Sequence, residues 1–164
     1  MQKAPIPKNE QERLIAVHNL AILDSEPEAR FDNITKEVKE KLNVPISTLT
    51  IIDKDREWFK SKQGLSKTEG KREVSFCGHA LLATEIFIVE DTLKDDRFKD
   101  NPMVIGEPHI RFYAGISLRD YITKLPVGVL CVKDFVPKKL SLEEINILMD
   151  LANRAEKEIN NNNA

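Results

Sequence analysis

From His109 to Arg119 the chain alternates residue by residue. Ile110, Phe112, Ala114, Ile116 and Leu118 are apolar, and His109, Arg111, Tyr113, Gly115, Ser117 and Arg119 stand between them. Successive side chains of a strand point to opposite faces, so this run fits an extended strand with one face covered and one face polar. A helix would scatter the same residues around its circumference. The apolar face requires a layer to pack on, and the two ends of the chain supply it. Asn9 and Glu12 have capping-box spacing, and Leu14, Val17, Ala21 and Ile22 follow at helical spacing, predicting a helix over 9–22. Ser25, Pro27 and Glu28 signal a second start, after which Phe31, Ile34, Val38 and Leu42 form one stripe until Val44-Pro45 stops it. At the other end Ser141 and Glu144 form a capping box before the stripe Leu142, Ile145, Leu148, Ala152, Ala155 and Ile159.

Strand signals fill the middle. The β-branched run 46–53, the break Asp53-Lys54-Asp55 and the run 56–62 read as a hairpin, with Trp58 in its second arm. Residues 76–84 read as a short helix, 86–89 as a strand, and 126–134 as the partner of the alternating strand. Between Asp91 and Pro108 lies a long polar connection, broken at Asn101-Pro102 and Gly106, of a length that usually marks a lid or binding loop. The sum is an α+β fold with an antiparallel sheet and the terminal helices on one face. A chain of 164 residues accommodates one such domain. We expect residues 1–8 as a disordered or extended arm, 9–159 as the single domain and 160–164 as a frayed polar tail.

Composition narrows the partners. A net charge of −2 gives no drive toward nucleic acid or anionic membrane surfaces. The apolar runs are far shorter than a membrane span, and Met1–Pro7 lacks the apolar core of a secretory signal, so a cytoplasmic location is expected. In that compartment Cys77 and Cys131 are expected as reduced thiols.

Three groups of residues bear chemistry. The polar side of the alternating strand brings together Arg111, Tyr113 and Ser117, and Gly115 leaves room above the sheet. This is a candidate ligand floor, with Arg111 facing an anionic group and Tyr113 offering a donor. The same pattern also fits an ordinary solvated face. Cys77 and His79 stand at the start of the short helix, where a thiol can become a reactive thiolate, although half-buried structural roles fit equally. Asp91, Asp95, Asp96 and Asp100 interleave with Arg97 and Lys99 in the long connection. There Asx turns and an Arg97 ion pair compete with a ligand role, and Asp91 and Arg97 are expected to fix the loop. No metal-ligand spacing, phosphate loop or nucleophile elbow is present, so no metal or catalytic residue is assigned and no cofactor is identified.

Several strings occur together and in order: Ile22-Leu23-Asp24-Ser25 with Pro27-Glu28 and Phe31-Asp32, Asp53 to Ser61, Arg72 to Ala80, Asp96-Arg97-Phe98 with Asn101-Pro102, Ile110 to Gly115, and Gly128 to Val132 with Asp134. Together they resemble GAF domains of the bacterial sensor type, found N-terminal to diguanylate cyclases and histidine kinases. The resemblance covers about residues 12–153. It implies a GAF/PAS-like central antiparallel sheet of five or six strands, terminal helices on one face, and a pocket under loops and short helices on the other. It further implies a non-enzymatic sensory domain that binds an unidentified small molecule or relays a signal through dimerising terminal helices. A homodimer and a separate output protein, such as a kinase or cyclase, are the implied partners. The expected pocket residues are Cys77, His79, Asp91, Arg97, Arg111, Tyr113 and Ser117. Two other readings remain: thiol redox chemistry at Cys77, as in methionine sulfoxide reductases of this fold, and a ligand-free interaction module.

Overall fold

A computed structural model describes residues 1–161. Helices α1 (Glu10–Asn19) and α2 (Ala29–Leu42) lead into the hairpin β1 (Ile46–Ile52) and β2 (Arg56–Gln63). Then come β3 (Glu69–Lys71), α3 (Phe76–Ala80), β4 (Phe87–Val89), α4 (Pro102–Ile105), β5 (Phe112–Arg119), β6 (Pro126–Asp134) and α5 (Leu142–Asn160). The strands form one six-stranded sheet in the order β3-β2-β1-β6-β5-β4, and every neighbouring pair is antiparallel. The fold is therefore α+β, as expected.

Period decides which face each strand residue serves. Leu49 and Ile51 of β1, Trp58 of β2, Phe112, Ala114 and Leu118 of β5, and Leu130 and Val132 of β6 bury against the three long helices. From α2 come Phe31, Ile34, Val38 and Leu42, as their stripe predicts, and from α5 Leu148, Ala152, Ala155 and Ile159, whereas Leu142 of the expected α5 stripe is exposed because it stands at the helix start beyond the sheet. On the opposite, distal face a second core gathers Ile46, Ile52, Val129, Cys131 and Tyr113 under Phe76, Cys77, Leu81, Phe98 and Val104. Ile110, expected among the helix-facing residues, joins this distal core instead, because β5 begins only at Phe112 and the chain reaches it from the distal side.

Helix starts differ from the sequence signals. Asn9 makes no capping bond, and α1 ends at Asn19, followed by a left-handed turn at Ala21. Its buried face is Arg13, Ala16, Val17 and Leu20, with Leu14 only half-buried. Ser25 does not cap α2: its hydroxyl donates to the Ile22 carbonyl and receives the Lys60 ammonium, so the helix starts at Ala29. Asn43 closes α2 in the left-handed region. At α5 the capping box forms as expected, with the Ser141 hydroxyl accepting from the Glu144 amide and the Glu144 carboxylate from the Ser141 amide.

The connection 91–108 is a packed cover rather than an open loop. Asn101 Oδ1 caps α4 and its Nδ2 donates to the Val74 carbonyl, while Phe98 and Val104 are fully buried over the distal face. The arm 1–8 runs alongside it. The Gln2 amide donates to the Arg97 carbonyl and the Ala4 amide to the Glu73 carbonyl. At the other end Asn160, placed in the tail by the sequence, is the last residue of α5, and its side chain bonds the Arg119 carbonyl and the Tyr121 amide. Residues 162–164 of that tail lie outside the described residues.

Candidate functional site

The distal face holds the unusual chemistry of this protein. Ser75 caps α3 by accepting the Gly78 amide at 2.9 Å, which sets Cys77 over the middle of the sheet. Gly78 is needed there because a Cβ would stand 2.6 Å from the Cβ of Ala4 in the N-terminal arm. Phe76 stacks on Phe98 at 4.5 Å and on Tyr113 at 5.3 Å, and His79 meets Phe98 edge-on at 4.8 Å. Arg97 pairs with Asp95 at 2.7 Å and lays its guanidinium over Phe87 and Phe98. These rings and the arm form a roof.

Beneath the roof lies a chain of polar atoms. The Tyr113 hydroxyl donates to Cys77 Sγ at 3.1 Å, and Cys77 Sγ reaches Thr50 Oγ1 at 3.8 Å. Thr50 and Thr48 hydroxyls bond each other at 2.8 Å, and Thr48 Oγ1 bonds Cys131 Sγ at 3.0 Å. Two charged side chains, Glu57 of β2 and Lys133 of β6, are buried on the same face. Glu57 Oε1 has no hydrogen-bond partner.

Burial and charge set the protonation of this group. Burial pushes the Cys77 and Tyr113 hydrogens to be held far more tightly than usual. For Cys131, burial is outweighed by the Cys77 hydrogen bond, the Lys133 ammonium and the Thr48 hydroxyl, which draw its pKa down to about 7. Burial raises Glu57, and on Lys133 the negative groups outweigh burial and hold the ammonium charged. His79 is lowered by burial, and its Nε2 donates to the Gln2 carbonyl at 3.2 Å.

The expected pocket residues divide accordingly. Cys77, His79 and Tyr113 come together, and Arg97 covers their rings. Arg111 stands apart, its guanidinium bonded to the Val104 carbonyl at 2.9 Å and the Ile110 carbonyl at 3.2 Å, so it anchors α4 rather than facing an anion. Ser117 gives its hydroxyl to the Leu81 carbonyl at 2.8 Å. Asp91 caps a short turn through the Leu93 amide and lines an open cleft of about 690 Å³ beside β4, with Lys94, Asp95 and Lys138. The space expected above Gly115 is taken by Tyr113, whose hydroxyl would lie 2.5 Å from a Cβ at that position.

Sequence reasoning missed Glu57, Lys133, Thr48, Thr50 and the part played by Cys131. One signal was available: Lys133 shares the period of Val129 and Cys131 in an otherwise apolar strand. Among the described residues no cluster of three or more His, Cys, Asp or Glu side chains is arranged to hold a metal. No described helix is long and apolar enough to cross a membrane.

Comparison with known proteins agrees with this architecture. Over 138 residues the chain is 38% identical to a cyclic di-GMP phosphodiesterase of Pseudomonas aeruginosa, covering 84% of this chain but 23% of that protein. It thus spans under a quarter of that relative's length. The GAF domain of a phosphoenolpyruvate-protein phosphotransferase from Coxiella burnetii superposes with a TM-score of 0.65 at 18% identity, covering 93% of this chain and 95% of that one. A free methionine-R-sulfoxide reductase from Neisseria meningitidis superposes at 0.61 with 19% identity, covering 92% and 89%. The latter two share the fold alone. The sheet order, the helices on one face and the roofed distal face are joined by a family model, that of the GAF domain, matching residues 26–159. The chain therefore belongs to the GAF domain family, a family of signalling and sensory modules.

Proposed function

We propose that this domain is a non-catalytic regulatory module of a bacterial signalling protein, sensing a small zwitterionic molecule in a distal chamber that opens between the α3 roof and the sheet. The observation that carries the reading is the buried pair Glu57 and Lys133, with Glu57 Oε1 unpartnered. Buried charges are costly unless paired, and apolar residues would serve the fold as well. A ligand bearing an ammonium and an anionic group satisfies both, with Tyr113 and Cys77 at its side. The α3 roof and the arm must part to admit it. The limited share of the Pseudomonas phosphodiesterase that this chain matches supports a regulatory rather than a catalytic part. The thiols are fully buried, which argues against a reductase that must present one to substrate.

The test is a thermal-shift and calorimetric screen against the free amino acids and their betaines. A ligand present at about 100 times its Kd should stabilise the domain by about 2.7 kcal/mol. Glu57→Gln and Lys133→Met should each remove that gain. A flat response across the panel would remove the chamber reading.

The relay is assigned to α5. Leu142 is 75% exposed, and Met149, one heptad on, is also exposed, with Ile145 half-buried between them. This seam suits a second copy of the domain. Leu142→Glu with Met149→Lys should leave the melting temperature near that of the parent and weaken a dimer at least about tenfold, which is about 1.4 kcal/mol. Sedimentation equilibrium reads it, and a parent that stays monomeric at high concentration counts against the seam.

A further inference from the structure

We propose that Cys77 and Cys131 form a reversible internal disulfide, a redox-modification site that ties the roof helix α3 to the central strand β6. The two cysteines are distant in sequence, yet both thiols are fully buried and end on the same pair of hydroxyls, Thr48 and Thr50. The hydroxyl pair links them in one short chain, 3.8 Å from Cys77 Sγ to Thr50, 2.8 Å from Thr50 to Thr48 and 3.0 Å from Thr48 to Cys131 Sγ. The helix α3, which carries Cys77, packs on β6, the strand that carries Cys131. The site does not depend on a ligand in the chamber.

Asymmetry assigns the roles. Cys131 faces the Lys133 charge and the Thr48 hydroxyl, so it carries the thiolate, and Cys77, hydrogen-bonded by Tyr113, keeps its proton. The oxidant is a small hydroperoxide, which reaches the buried Cys131 when the α3 roof and the arm part. The Cys131 thiolate attacks one peroxide oxygen: an S–O bond forms, the O–O bond breaks, and the departing hydroxide takes up a proton to become water. Cys77 sulfur then attacks the Cys131 sulfenic sulfur. An S–S bond forms, the S–O bond breaks, and the hydroxide leaves as water with the Cys77 proton. Two thiols are oxidised and one hydrogen peroxide is reduced to two waters. A dithiol restores the pair by exchange. The consequence is mechanical, because the bond clamps the five-residue helix that roofs the chamber onto the sheet.

Hydrogen peroxide is added to the folded protein, which is then quenched in denaturant with N-ethylmaleimide and examined by intact mass and non-reducing peptide mapping. The expected result is a mass lower by two hydrogens, no maleimide on either cysteine, one peptide linking Cys77 to Cys131 within a monomer, and full reversal by dithiothreitol. In Cys77→Ser, dimedone should trap a sulfenic acid at Cys131. In Lys133→Met the linkage should form at least about tenfold more slowly, reflecting loss of thiolate. The unaltered protein decides the matter if a variant fails to fold. The proposal is overturned if both cysteines take maleimide at a peroxide dose that oxidises the urea-unfolded chain. It is equally overturned if the linkage joins only separate chains, or if oxidation runs on to sulfinic acid without a linked peptide.

Discussion

Phe76→Ala is expected to lower the free energy of unfolding by about 3–5 kcal/mol, the usual cost of removing a buried phenyl ring. The ring is fully buried and lies between Phe98 at 4.5 Å and Tyr113 at 5.3 Å, so its loss opens a cavity with rings on both sides. These neighbours are held by separate devices. Phe98 sits in the cover pinned by Asn101, and Tyr113 on a strand in mid-sheet, so neither can collapse freely into the gap. Urea unfolding followed by far-UV dichroism gives the value. A cost below about 1 kcal/mol would mean that the roof is not packed as described. The same variant should admit dyes or peroxide to the thiols faster, because the cavity lies directly beside Cys77.

Glu10→Ala is expected to cost about 3 kcal/mol, although Glu10 itself is near the surface. Its carboxylate takes Arg13 Nε at 2.7 Å and Nη2 at 3.1 Å, and also pairs with both terminal nitrogens of Arg72. Arg13 is fully buried and Arg72 nearly so. Removing the carboxylate leaves two guanidiniums with only backbone carbonyls, Pro126 for Arg13 and Asp53 and Lys54 for Arg72. The pH dependence follows in sign. Burial opposes ionisation of Glu10, but the hydrogen bonds and charges of Arg13 and Arg72 outweigh it, so its folded pKa lies below the ordinary 4.5. A depressed carboxylate stabilises the fold above its unfolded pKa, and that contribution is lost as pH falls through the folded value. The stability gap between the parent and Glu10→Gln should therefore be full at pH 7 and shrink below pH 4.5. A gap that stays constant down to pH 3 would assign the effect to packing.

These two residues also show where a sequence is legible. Phe76 belongs to a string that resembles a known family, and its neighbourhood was expected to form a short helix at the pocket. Arg13 and Glu10 gave no such signal. The α1 stripe read from spacing alone put Leu14 inward, whereas the helix is turned so that Arg13 is buried and Leu14 half-exposed. A stripe fixes the period of a helix, but its rotation depends on what it packs against, and here the Glu10 carboxylate from its own first turn and the Pro126 carbonyl of β6 make a buried Arg13 tolerable. The long 91–108 connection is a comparable case. Its polar composition reads as a lid, yet Phe98, Val104 and Asn101 bind it into the core, because a few anchors suffice to fix a loop whose other side chains face water.

Taken alone, the sequence determined the elements and most of their buried faces: the three long helices, the hairpin, the two long strands, the antiparallel sheet between terminal helices, and the GAF resemblance. These follow from periodicity, capping and turn chemistry, which act over a few neighbouring residues. Only the tertiary structure decided what the distal face contains. It turned Arg111 and Ser117 to backbone carbonyls, filled the gap over Gly115 with the Tyr113 phenol, and brought Cys77, Cys131, Glu57 and Lys133 together. That grouping depends on which strands pair and in what register, as with Thr48 opposite Cys131. Register is set by contacts between residues far apart in the chain, and no local pattern encodes which distant side chain will stand beside which.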